Sequence, residues 1–511
     1  MIIGTVFILA EPFESLKIAE ERAPIDVGVI ILGWGTIGPR VAKAIALISN
    51  QATVQATRIF PHLLAVVDPK FADEVERELF SHKWQTDTSI LESKKDLPRG
   101  LILNMPPVFS SLYDATVEAA NVLKSQKSPV IVYDASPTKH HNENFYEIYR
   151  RYTDANETDP TDLEAAESKP KNWFYLGEKP IVDRTYQWKG IERTEESYWF
   201  FCDFIELVNP VVKATREYIQ ENGLKIKKMW FWRACGMGVN KSIGQGRKGV
   251  TGGAILDKGV HDLSISVELM RPGDVTGDVV ERKSNIIHLI PDLTDRSGTR
   301  KILDINDDAV ESINIRNQDN YPADGLCDST VIWHSKSHGE VEGRYLFSWL
   351  GITDGKAEEE FRAKLREHGY NDDRYVLRHS VSGVNEEEVR LSIIECEDRT
   401  IICNFLTKPS YGSDTLNRYV YVHLNDGNEI ALVPDLPSDP TVDLPDVLTQ
   451  VARYCTRLDK PDIFRFGREA VTVVHSVLFD IQKAAVKGIT NKDIDFWFDR
   501  AAEVIDGKRS D

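Results

Sequence analysis

The fold of this chain follows from the segment Asp26-Val-Gly-Val-Ile-Ile-Leu-Gly-Trp-Gly-Thr-Ile-Gly-Pro-Arg-Val-Ala-Lys-Ala-Ile-Ala46. An apolar run leads into Gly33, Gly35 and Gly38 and then into a helical pattern, which predicts a strand, a tight turn and a helix. The first glycine permits the turn, the second lets the backbone approach a pyrophosphate, and the third allows the helix to pack closely on the strand. Because N–H groups at a helix start bind phosphate, the segment predicts a dinucleotide site that includes Thr36 and Ile37, rather than a chance turn.

A second apolar run, residues 63–67, ends in Asp68, a position from which an acid can bind an adenosine ribose hydroxyl. This position modestly favours NAD. However, Asp68 lies 30 residues beyond Gly38 rather than about 20, and the neighbouring Lys70 could meet the 2′-phosphate of NADP. A structural alternative is that Asp68 starts an Asp-Pro turn. The choice between NAD and NADP therefore stays open.

Further apolar runs continue the alternation of strands and helices that is typical of a parallel sheet. They are residues 100–105 before Pro106-Pro107, residues 129–133 before the polar tail 134–141, and residues 172–178 before Lys179-Pro180. A helical pattern covers 111–123. Because ligands gather at the carboxyl ends of parallel strands, the polar tail could contact or cover a cofactor, or it could be a solvated loop. The acidic residues between 152 and 169 predict an exposed insertion.

Composition narrows the class of protein. The length of 511 residues predicts two to four domains. A formal net charge of −18 argues against nucleic acid and anionic membranes as partners. No apolar run approaches the roughly 20 residues that span a bilayer, and the apolar N-terminal stretch lacks the basic leader of a signal peptide. The six cysteines show neither paired nor metal-ligand spacing, which fits reduced thiols in a cytoplasmic protein without a zinc site.

A polar pair interrupts an apolar helical pattern in Gly252-Gly-Ala-Ile-Leu-Asp-Lys-Gly-Val-His261. Positions i and i+4 of an α-helix differ by about 40° around its axis, so Asp257 and His261 are expected on one face. Two interpretations fit this pair. The carboxylate satisfies a buried histidine, or the two groups form a proton-transfer site.

Four features in this order resemble the Gfo/Idh/MocA oxidoreductases. They are the glycine-rich turn, the strand end at Pro106-Pro107, the tripeptide Glu178-Lys179-Pro180, and the pattern Gly-Gly-x-x-x-Asp-x-Gly-x-His at 252–261. The resemblance is best over residues 26–270, and the amphipathic segment 466–488 resembles the closing helix of the family. The chain departs from the family by an extra segment before Glu178, by serines at 110 and 111 where histidine is frequent, and by a longer region 271–460.

The resemblance implies an N-terminal Rossmann dinucleotide-binding domain and a C-terminal α/β domain with a large open, mainly antiparallel sheet. We expect the first domain at residues 1–184, with the acidic insertion at about 150–170, and a substrate-binding and oligomerisation domain at 185–511. The last helix associated with the Rossmann domain could come from the second domain. The resemblance also implies that Pro106 and Glu178 lie at the NAD(P) site.

Hydride transfer between NAD(P) and a sugar, inositol or related alcohol is the reaction that the resemblance implies, with Lys179, Asp257 and His261 at its centre. Oxidising a secondary alcohol requires a base for the hydroxyl proton, and the reverse reaction requires an acid. The pKa of histidine near 6.5 suits both roles, whereas a lysine must have its pKa depressed to be a base but can polarise a carbonyl as ammonium. We expect Lys179 and His261 to share these roles, with Asp257 orienting the imidazole or binding a substrate hydroxyl. Taken alone, Lys179 would be interpreted as an exposed strand-end lysine before a proline.

A basic segment precedes the polar pair. Between Glu221 and Asp257 there is no acid, while seven lysines and arginines occur there. Residues 236–253 are too rich in glycine for regular structure and long enough to form a lid. We predict that Arg233, Lys241 or Arg247 contacts an anionic substrate group or a cofactor phosphate. The alternative is a solvated loop whose charge is neutralised by neighbouring acids.

Short alternating runs between residues 271 and 460 predict antiparallel strands. His334 and His338 have no further cysteine or histidine nearby, so we predict no metal site there. An open sheet with one face uncovered by helices would need a partner. We therefore expect a homodimer or homotetramer that associates through this sheet.

The leading hypothesis is an NAD(P)-dependent dehydrogenase or reductase that acts on a secondary alcohol or ketone of a sugar-like or polyhydroxylated small molecule. If the basic segment contacts the substrate, that molecule is anionic. Two alternatives stay open. A protein of this fold can be a non-catalytic regulator that senses NAD(P) or another ligand, and an enzyme can use transient oxidation for elimination or glycoside cleavage without net redox change.

Overall fold

The structure is a computed structural model. It describes residues 25–35, 37–55, 59–71, 106–112, 114–115, 128–154, 173–182, 185–194, 199–235, 254–281, 287–290, 301–304, 326–348, 356–371, 375–381, 384–406, 417–437, 443–456 and 465–484. Several predicted features lie outside these ranges: the strand at 100–105, most of the helix at 111–123, most of the acidic insertion, and the glycine-rich segment 236–253.

A parallel sheet forms the first half of the fold, as the sequence predicted. Its strands are β1 (Ile25–Leu32), β2 (Ile59–Val67), β3 (Val108–Phe109), β4 (Val130–Asp134), β5 (Trp173–Glu178) and β6 (Phe200–Asp203). They lie in the order β3-β2-β1-β4-β5-β6, and each neighbouring pair is parallel. This order is that of a Rossmann fold, in which ligands bind at the carboxyl ends of the strands.

β2 is longer than the apolar run that predicted it. It begins at Ile59, before the predicted start at residue 63, because its first residues pair with β1. A short strand that the sequence did not predict, β3, follows Pro107 and pairs with the end of β2. Both findings reflect pairing with a neighbouring strand, which local hydrophobicity does not reveal.

Helices α1 (Gly38–Gln55), α2 (Thr138–Asp154) and α3 (Thr185–Glu192) connect these strands. The polar tail 134–141, expected either at the cofactor or as a solvated loop, ends β4 and begins α2. Its contact with a cofactor stays a prediction. Asp134 and His141 at its two ends are both completely buried. The first sheet also continues past residue 184, because β6 is its sixth strand.

A larger, mainly antiparallel sheet forms the second half, again as predicted. Its order is β17-β16-β15-β14-β7-β12-β11-β8, with β13 beside β14, and β7 and β12 run parallel to each other. The strands are β7 (Ile226–Cys235), β8 (Val275–Glu281), β11 (Leu326–Ser335), β12 (Gly339–Ser348), β13 (Leu377–Val381), β14 (Val384–Cys396), β15 (Arg399–Asn404), β16 (Asn417–Leu424) and β17 (Glu429–Pro437). A separate hairpin pairs β9 (Ile287–Ile290) with β10 (Lys301–Asp304).

Helices on one face of the large sheet belong to the main core. They are α4 (Pro210–Glu221), a π-helical turn (Ile255–Gly259) and α5 (Val260–Met270). Two late helices pack back on the first half of the molecule. Helix α7 (Asp443–Cys455) packs on α1 and β2, and α8 (Arg468–Ala484) joins both halves by contacting α3 and β6 as well as α5 and β8. Among the described residues, no helix is long and apolar enough to cross a membrane.

The other face of the large sheet differs from the expectation of an uncovered surface. Helix α6 (Lys356–Glu367) lies on it, and Phe361 packs against Trp230 and Trp232 of β7 at ring-centroid distances of 5.3 and 6.0 Å. Alternate residues of β7 therefore pack into two different hydrophobic cores: Trp230 and Trp232 pack on the α6 side, and Phe231 packs with the helices on the opposite face. The predicted homo-oligomer therefore loses the support of an uncovered face at the central strands, and it stays a prediction.

Candidate functional site

The turn after β1 has the geometry that its glycines predict. Gly33 adopts a φ of +84°, and a Cβ on it would lie 2.9 Å from the Cα of Ser136. A Cβ on Gly38 would lie 2.5 Å from the carbonyl oxygen of Gly33, so both positions require glycine. A Cβ on Gly35 would meet nothing within 4 Å. The backbone at Gly35 therefore borders open space, which is where a pyrophosphate could approach it.

Asp68 supports this turn. It is buried directly after β2, and its Oδ2 accepts a hydrogen bond from the backbone N–H of Trp34 at 2.9 Å. Its Oδ1 accepts one from the N–H of Lys70 at 3.0 Å, which is the Asp-Pro turn of the structural alternative. A carboxylate oxygen can accept more than one hydrogen bond, so these contacts are compatible with a ribose hydroxyl as a further partner.

The strand registers place several polar residues at one edge of the first sheet. Leu32 is aligned with Val67 on one side and with Asp134 on the other, and Glu178 is aligned with Asp203. The glycine turn, Asp68 and Lys179 follow directly on these strand ends. Because all strands of this sheet are parallel, these groups share the edge at which Rossmann folds bind ligands.

A pair of carboxyl groups, that of the buried Asp203 and that of the partly buried Glu178, lies beneath this edge. Tyr133 donates a short hydrogen bond to Oδ2 of Asp203, and its hydroxyl lies 3.4 Å from Oε2 of Glu178. Burial, with the charge of Asp203 added, raises the pKa of Glu178 to about 7 although Lys179 opposes the shift. Near neutral pH, Glu178 therefore holds a proton for part of the time. Its predicted contact with the cofactor stays a prediction.

Lys179 bridges the two halves of the molecule. Its Nζ donates to Oδ1 of Asp257 at 2.9 Å and to the carbonyl oxygen of the same residue at 3.0 Å. The side chains of Lys179 and Asp257 are 13% and 24% exposed, so water screens this ion pair less than a surface pair. The alternative of an exposed strand-end lysine therefore does not hold. Lys258 adds a second cation, 3.3 Å from Oδ2 of Asp257.

Asp257 and His261 do not share the regular α-helix that their spacing predicted, because Asp257 lies in a π-helical turn and His261 in the first turn of α5. Residues Ile255–Gly259 form a π-helical turn, and α5 begins only at Val260. Hydrogen bonds in such a turn span five residues instead of four, so the 100° step assumed from the sequence does not apply there. π turns are frequent at functional sites. Gly259 occupies this turn where a Cβ would lie 2.9 Å from the ring of Phe347.

His261 is held in its uncharged form. Burial lowers its pKa well below the ordinary value, and the positive charges of Lys179 and Arg233 add to the shift, while Asp257 opposes it. Its Nδ1 is buried and has no hydrogen-bond partner among the described residues. An uncharged imidazole can accept a proton. The alternative, a core histidine whose hydrogen bonds are satisfied, does not fit a ring whose Nδ1 has no partner among the described residues.

The surroundings of Arg233 differ from the predicted ligand contact. The side chain is 2% exposed, and it donates to Oε1 of Glu206 at 2.9 Å and to Oδ1 of Asp262 at 2.8 Å. Arg390 extends this group, 3.4 Å from Glu206 and 2.7 Å from Glu388. Two carboxylates already balance the charge of Arg233, so we place it in the packing behind His261 instead of among the substrate contacts.

The remaining predicted residues are distributed as follows. Pro106 is buried at the approach to β3, and Ile37 is partly buried against the main core. Thr36, Lys241 and Arg247 lie outside the described residues. His334 contacts Asp278 at 3.2 Å, and Nδ1 of His338 accepts from the N–H of Ile226 at 3.2 Å.

Sequence reasoning missed the residues that support the site from behind. Tyr133 was treated only as part of a predicted strand, Asp203 belonged to no predicted element, and His475 lies in a late amphipathic helix. The only signal in the sequence was the presence of a polar group in an apolar run, as at Asp203 after Phe-Phe-Cys and at His475 after Val-Thr-Val-Val. Buried polar groups normally have partners, so such an interruption points to one.

Comparisons with known proteins find relatives only at the level of structure. No protein-family model matches the chain, and no curated protein sequence matches it. Levoglucosan dehydrogenase in complex with NADH is similar over 90% of this chain and 97% of its own, with a TM-score of 0.52 and 11% identity. The complex of that enzyme with NADH and L-sorbose gives 0.51 and 12% over 91% and 97%, and an oxidoreductase from Sinorhizobium meliloti gives 0.51 and 10% over 91% and 98%. The chain therefore shares the Rossmann-containing α/β fold of these oxidoreductases.

Proposed function

We propose that the protein is an NAD(P)-dependent oxidoreductase of the Gfo/Idh/MocA type that interconverts a secondary alcohol and a ketone in a sugar-like or polyhydroxylated substrate. One observation carries this proposal. Lys179, at a strand end of the Rossmann sheet, is bonded to Asp257 in the turn that leads to an uncharged His261. A cation and a neutral base are thus brought to the edge at which this fold binds a dinucleotide.

The described residues fit NAD(P) at this edge. The open space beside Gly35 admits a pyrophosphate, and Gly33, Ile37 and Gly38 shape the turn around it. Asp68 would bind the ribose, which favours NAD, whereas the exposed Lys70 is near enough in sequence to serve a 2′-phosphate. Pro106 and Glu178 would line the remainder of the site. When bound, NAD(P) supplies the hydride acceptor or donor.

His261 and Lys179 divide the proton chemistry between them. In alcohol oxidation, the uncharged imidazole of His261 takes the hydroxyl proton, and in ketone reduction the imidazolium returns it to the oxygen. Two of the three hydrogens on the Lys179 ammonium are donated to Asp257. The third is available to the substrate oxygen, on which negative charge develops. Asp257 therefore fixes the direction in which Lys179 donates.

The substrate class is proposed from the polar character of the site and from the fold. Levoglucosan and L-sorbose, which the similar dehydrogenase structures contain or are named for, are both polyhydroxylated. We include sugar acids and sugar phosphates because Lys241 and Arg247 belong to the basic segment that leads into the π turn. Those two residues remain proposed anion contacts.

A thermal-shift screen tests cofactor binding first. NAD⁺ or NADP⁺ at 100 times its Kd should raise the stability by about 2.7 kcal/mol, because a ligand that binds only the folded state stabilises it by mass action. Turnover is then measured with levoglucosan, L-sorbose, sugar acids and sugar phosphates. Stoichiometric NADH or NADPH formation supports the dehydrogenase.

The same assays separate the two alternatives. Product formation without net NADH indicates a redox-neutral enzyme that uses transient oxidation. Cofactor binding without any turnover across the panel indicates a regulator. Absence of a thermal shift with both NAD⁺ and NADP⁺ would contradict the proposal at its first step.

A further inference from the structure

The segment Lys179-Pro180-Ile181, which carries the bridging lysine, has buried backbone groups that regular secondary structure does not satisfy. β5 ends at Glu178, and the next helix begins at Thr185. Pro180 and Ile181 are buried, so their carbonyl oxygens and the N–H of Ile181 require partners within the protein. The position of Lys179 therefore depends on what these backbone groups bind.

His475 of α8 binds the segment from one side. Its Nε2 accepts a hydrogen bond from the N–H of Ile181 at 3.1 Å, and its Nδ1 donates to the carbonyl oxygen of Val471 at 2.9 Å. These two contacts define a neutral ring with its proton on Nδ1. The ring is completely buried and stacks on Trp188 at a centroid distance of 4.8 Å. Burial lowers its pKa to about 4, which keeps Nε2 available as an acceptor at neutral pH.

His141 of α2 binds the same segment with the opposite polarity. Its Nδ1 lies 3.2 Å from the carbonyl oxygens of both Pro180 and Ile181, and its Nε2 lies 2.8 Å from that of Ser136. Carbonyl oxygens only accept hydrogen bonds, so the ring donates to this segment through Nδ1. Oδ1 of Asp134 lies 3.7 Å from Nε2.

The two histidines therefore complete the backbone hydrogen bonding of this segment: His475 accepts from its N–H group and His141 donates to its carbonyl groups. They come from helices far apart in the sequence, α2 and α8. A buried histidine with defined partners on both nitrogens is an orienting group, since rotation of the ring would break both contacts.

We propose that His141 and His475 are positioning residues that fix the backbone of Lys179 and so aim its ammonium group at the substrate oxygen. This inference rests on the proposed function. Both histidines are hydrogen-bonded to the peptide groups of Pro180 and Ile181, and through this backbone they act on the neighbouring Lys179. Their loss should displace a reacting group without removing it, an effect that can cost about 100-fold in rate for a displacement near 1 Å.

The kinetic test compares variants of His475. His475→Phe keeps a ring of similar size but removes the acceptor, and we expect kcat to fall about 10- to 100-fold while the KM for NAD⁺ stays nearly unchanged. His475→Gln retains an acceptor at a similar reach and should restore most of kcat. Val474→Ala, at the preceding buried position of α8, removes packing but no hydrogen bond and should leave kcat near that of the native protein. Equal kcat losses in His475→Phe and Val474→Ala would overturn the inference.

Hydrogen exchange tests the same contact without turnover. In the native protein, the amide of Ile181 should be protected, and in His475→Phe it should exchange at least about tenfold faster, because its acceptor is lost. His141→Phe should also loosen peptides that contain residues 179–181. Unchanged exchange in both variants would overturn the inference. If no substrate of the panel is turned over, the proposed function fails, and the exchange rates still decide whether the histidines hold this segment.

Discussion

Replacing Arg233 with methionine distinguishes a packing role from a ligand-binding role for this residue. Methionine keeps much of the volume of the side chain but removes a guanidinium that is 2% exposed. The change leaves Glu206 and Asp262, both buried, without the cation that contacts them at 2.9 and 2.8 Å. Breaking a buried ion pair from one side costs about 3–5 kcal/mol, since the remaining charge has neither water nor partner.

The two carboxylates contribute unequally to that loss. Glu206 keeps Arg390 at 3.4 Å, whereas Arg233 is the cation that contacts Asp262. We therefore expect the lower end of the range, about 3 kcal/mol at pH 8. Burial raises the pKa of Asp262 to about 6, although Arg233 opposes the shift. Because the folded state favours the protonated carboxyl, the contribution of Asp262 to folding stability is present at low pH and is lost as the pH rises through 6. At pH 5 Asp262 is protonated, and the cost of the substitution should be smaller.

Urea denaturation followed by tryptophan fluorescence measures this difference, because Trp230 and Trp232 lie on the same strand as Arg233. Arg366→Met is the matched control. Arg366 is 55% exposed and pairs with an exposed Glu359, so its loss should cost at most about 1 kcal/mol. A loss of stability in Arg233→Met no larger than in the control would refute the reasoning. A raised KM for an anionic substrate without loss of stability would restore the ligand-binding interpretation.

Three further predictions concern the site itself. Lys179→Met should lower kcat by about 10²- to 10⁴-fold with little change in the Kd for NAD⁺ measured by titration, and a comparable loss of NAD⁺ binding would contradict its placement at the reacting oxygen. Burial and the charges of Lys179 and Arg233 lower the pKa of His261, so the imidazole stays unprotonated below its ordinary pKa. The acidic limb of the pH profile of kcat/KM for alcohol oxidation should therefore lie below pH 6.5. An acidic limb above pH 6.5 would count against His261 as the base. Gly35→Ala should leave the urea midpoint unchanged, since a Cβ there meets no protein atom, but it should weaken NAD⁺ by at least about tenfold, and native affinity would show that the pyrophosphate lies elsewhere.

The sequence was most informative where structure is local. The apolar run and glycines of 26–46 specify β1, its turn and α1, because spacing within one segment determines the backbone there. The antiparallel character of the second sheet was likewise visible as short alternating runs. The Lys179–Asp257 contact joins residues 78 positions apart. The family resemblance implied that both residues lie at one site, but nothing in the sequence predicted that they pair with each other.

Other features depend on contacts that no local pattern reveals. The segment around Phe361 reads as an ordinary charged helix with an apolar stripe, and nothing in it identifies the outer sheet face as its partner. The sequence placed Arg233 in a basic segment because the two carboxylates that neutralise it are distant in the sequence. Glu206 precedes it by 27 positions and Asp262 follows it by 29. The π turn was missed because 3.6-residue periodicity assumes a regular helix.

The contacts of the last described helix have a consequence for synthesis of the chain. β6 pairs with Gly467 through Phe201, the N–H of Cys202 donates to the carbonyl oxygen of Phe466, and His475 binds Ile181. Chains are made from the N-terminus, and domains generally fold as they emerge from the ribosome. Here, however, the edge of the Rossmann sheet and the backbone beside Lys179 lack their hydrogen-bond partners until residues 466–475 have been made. A nascent chain that has already formed β1 to β5 must therefore remain incomplete at its proposed reaction centre until residues 466–475 have left the ribosome.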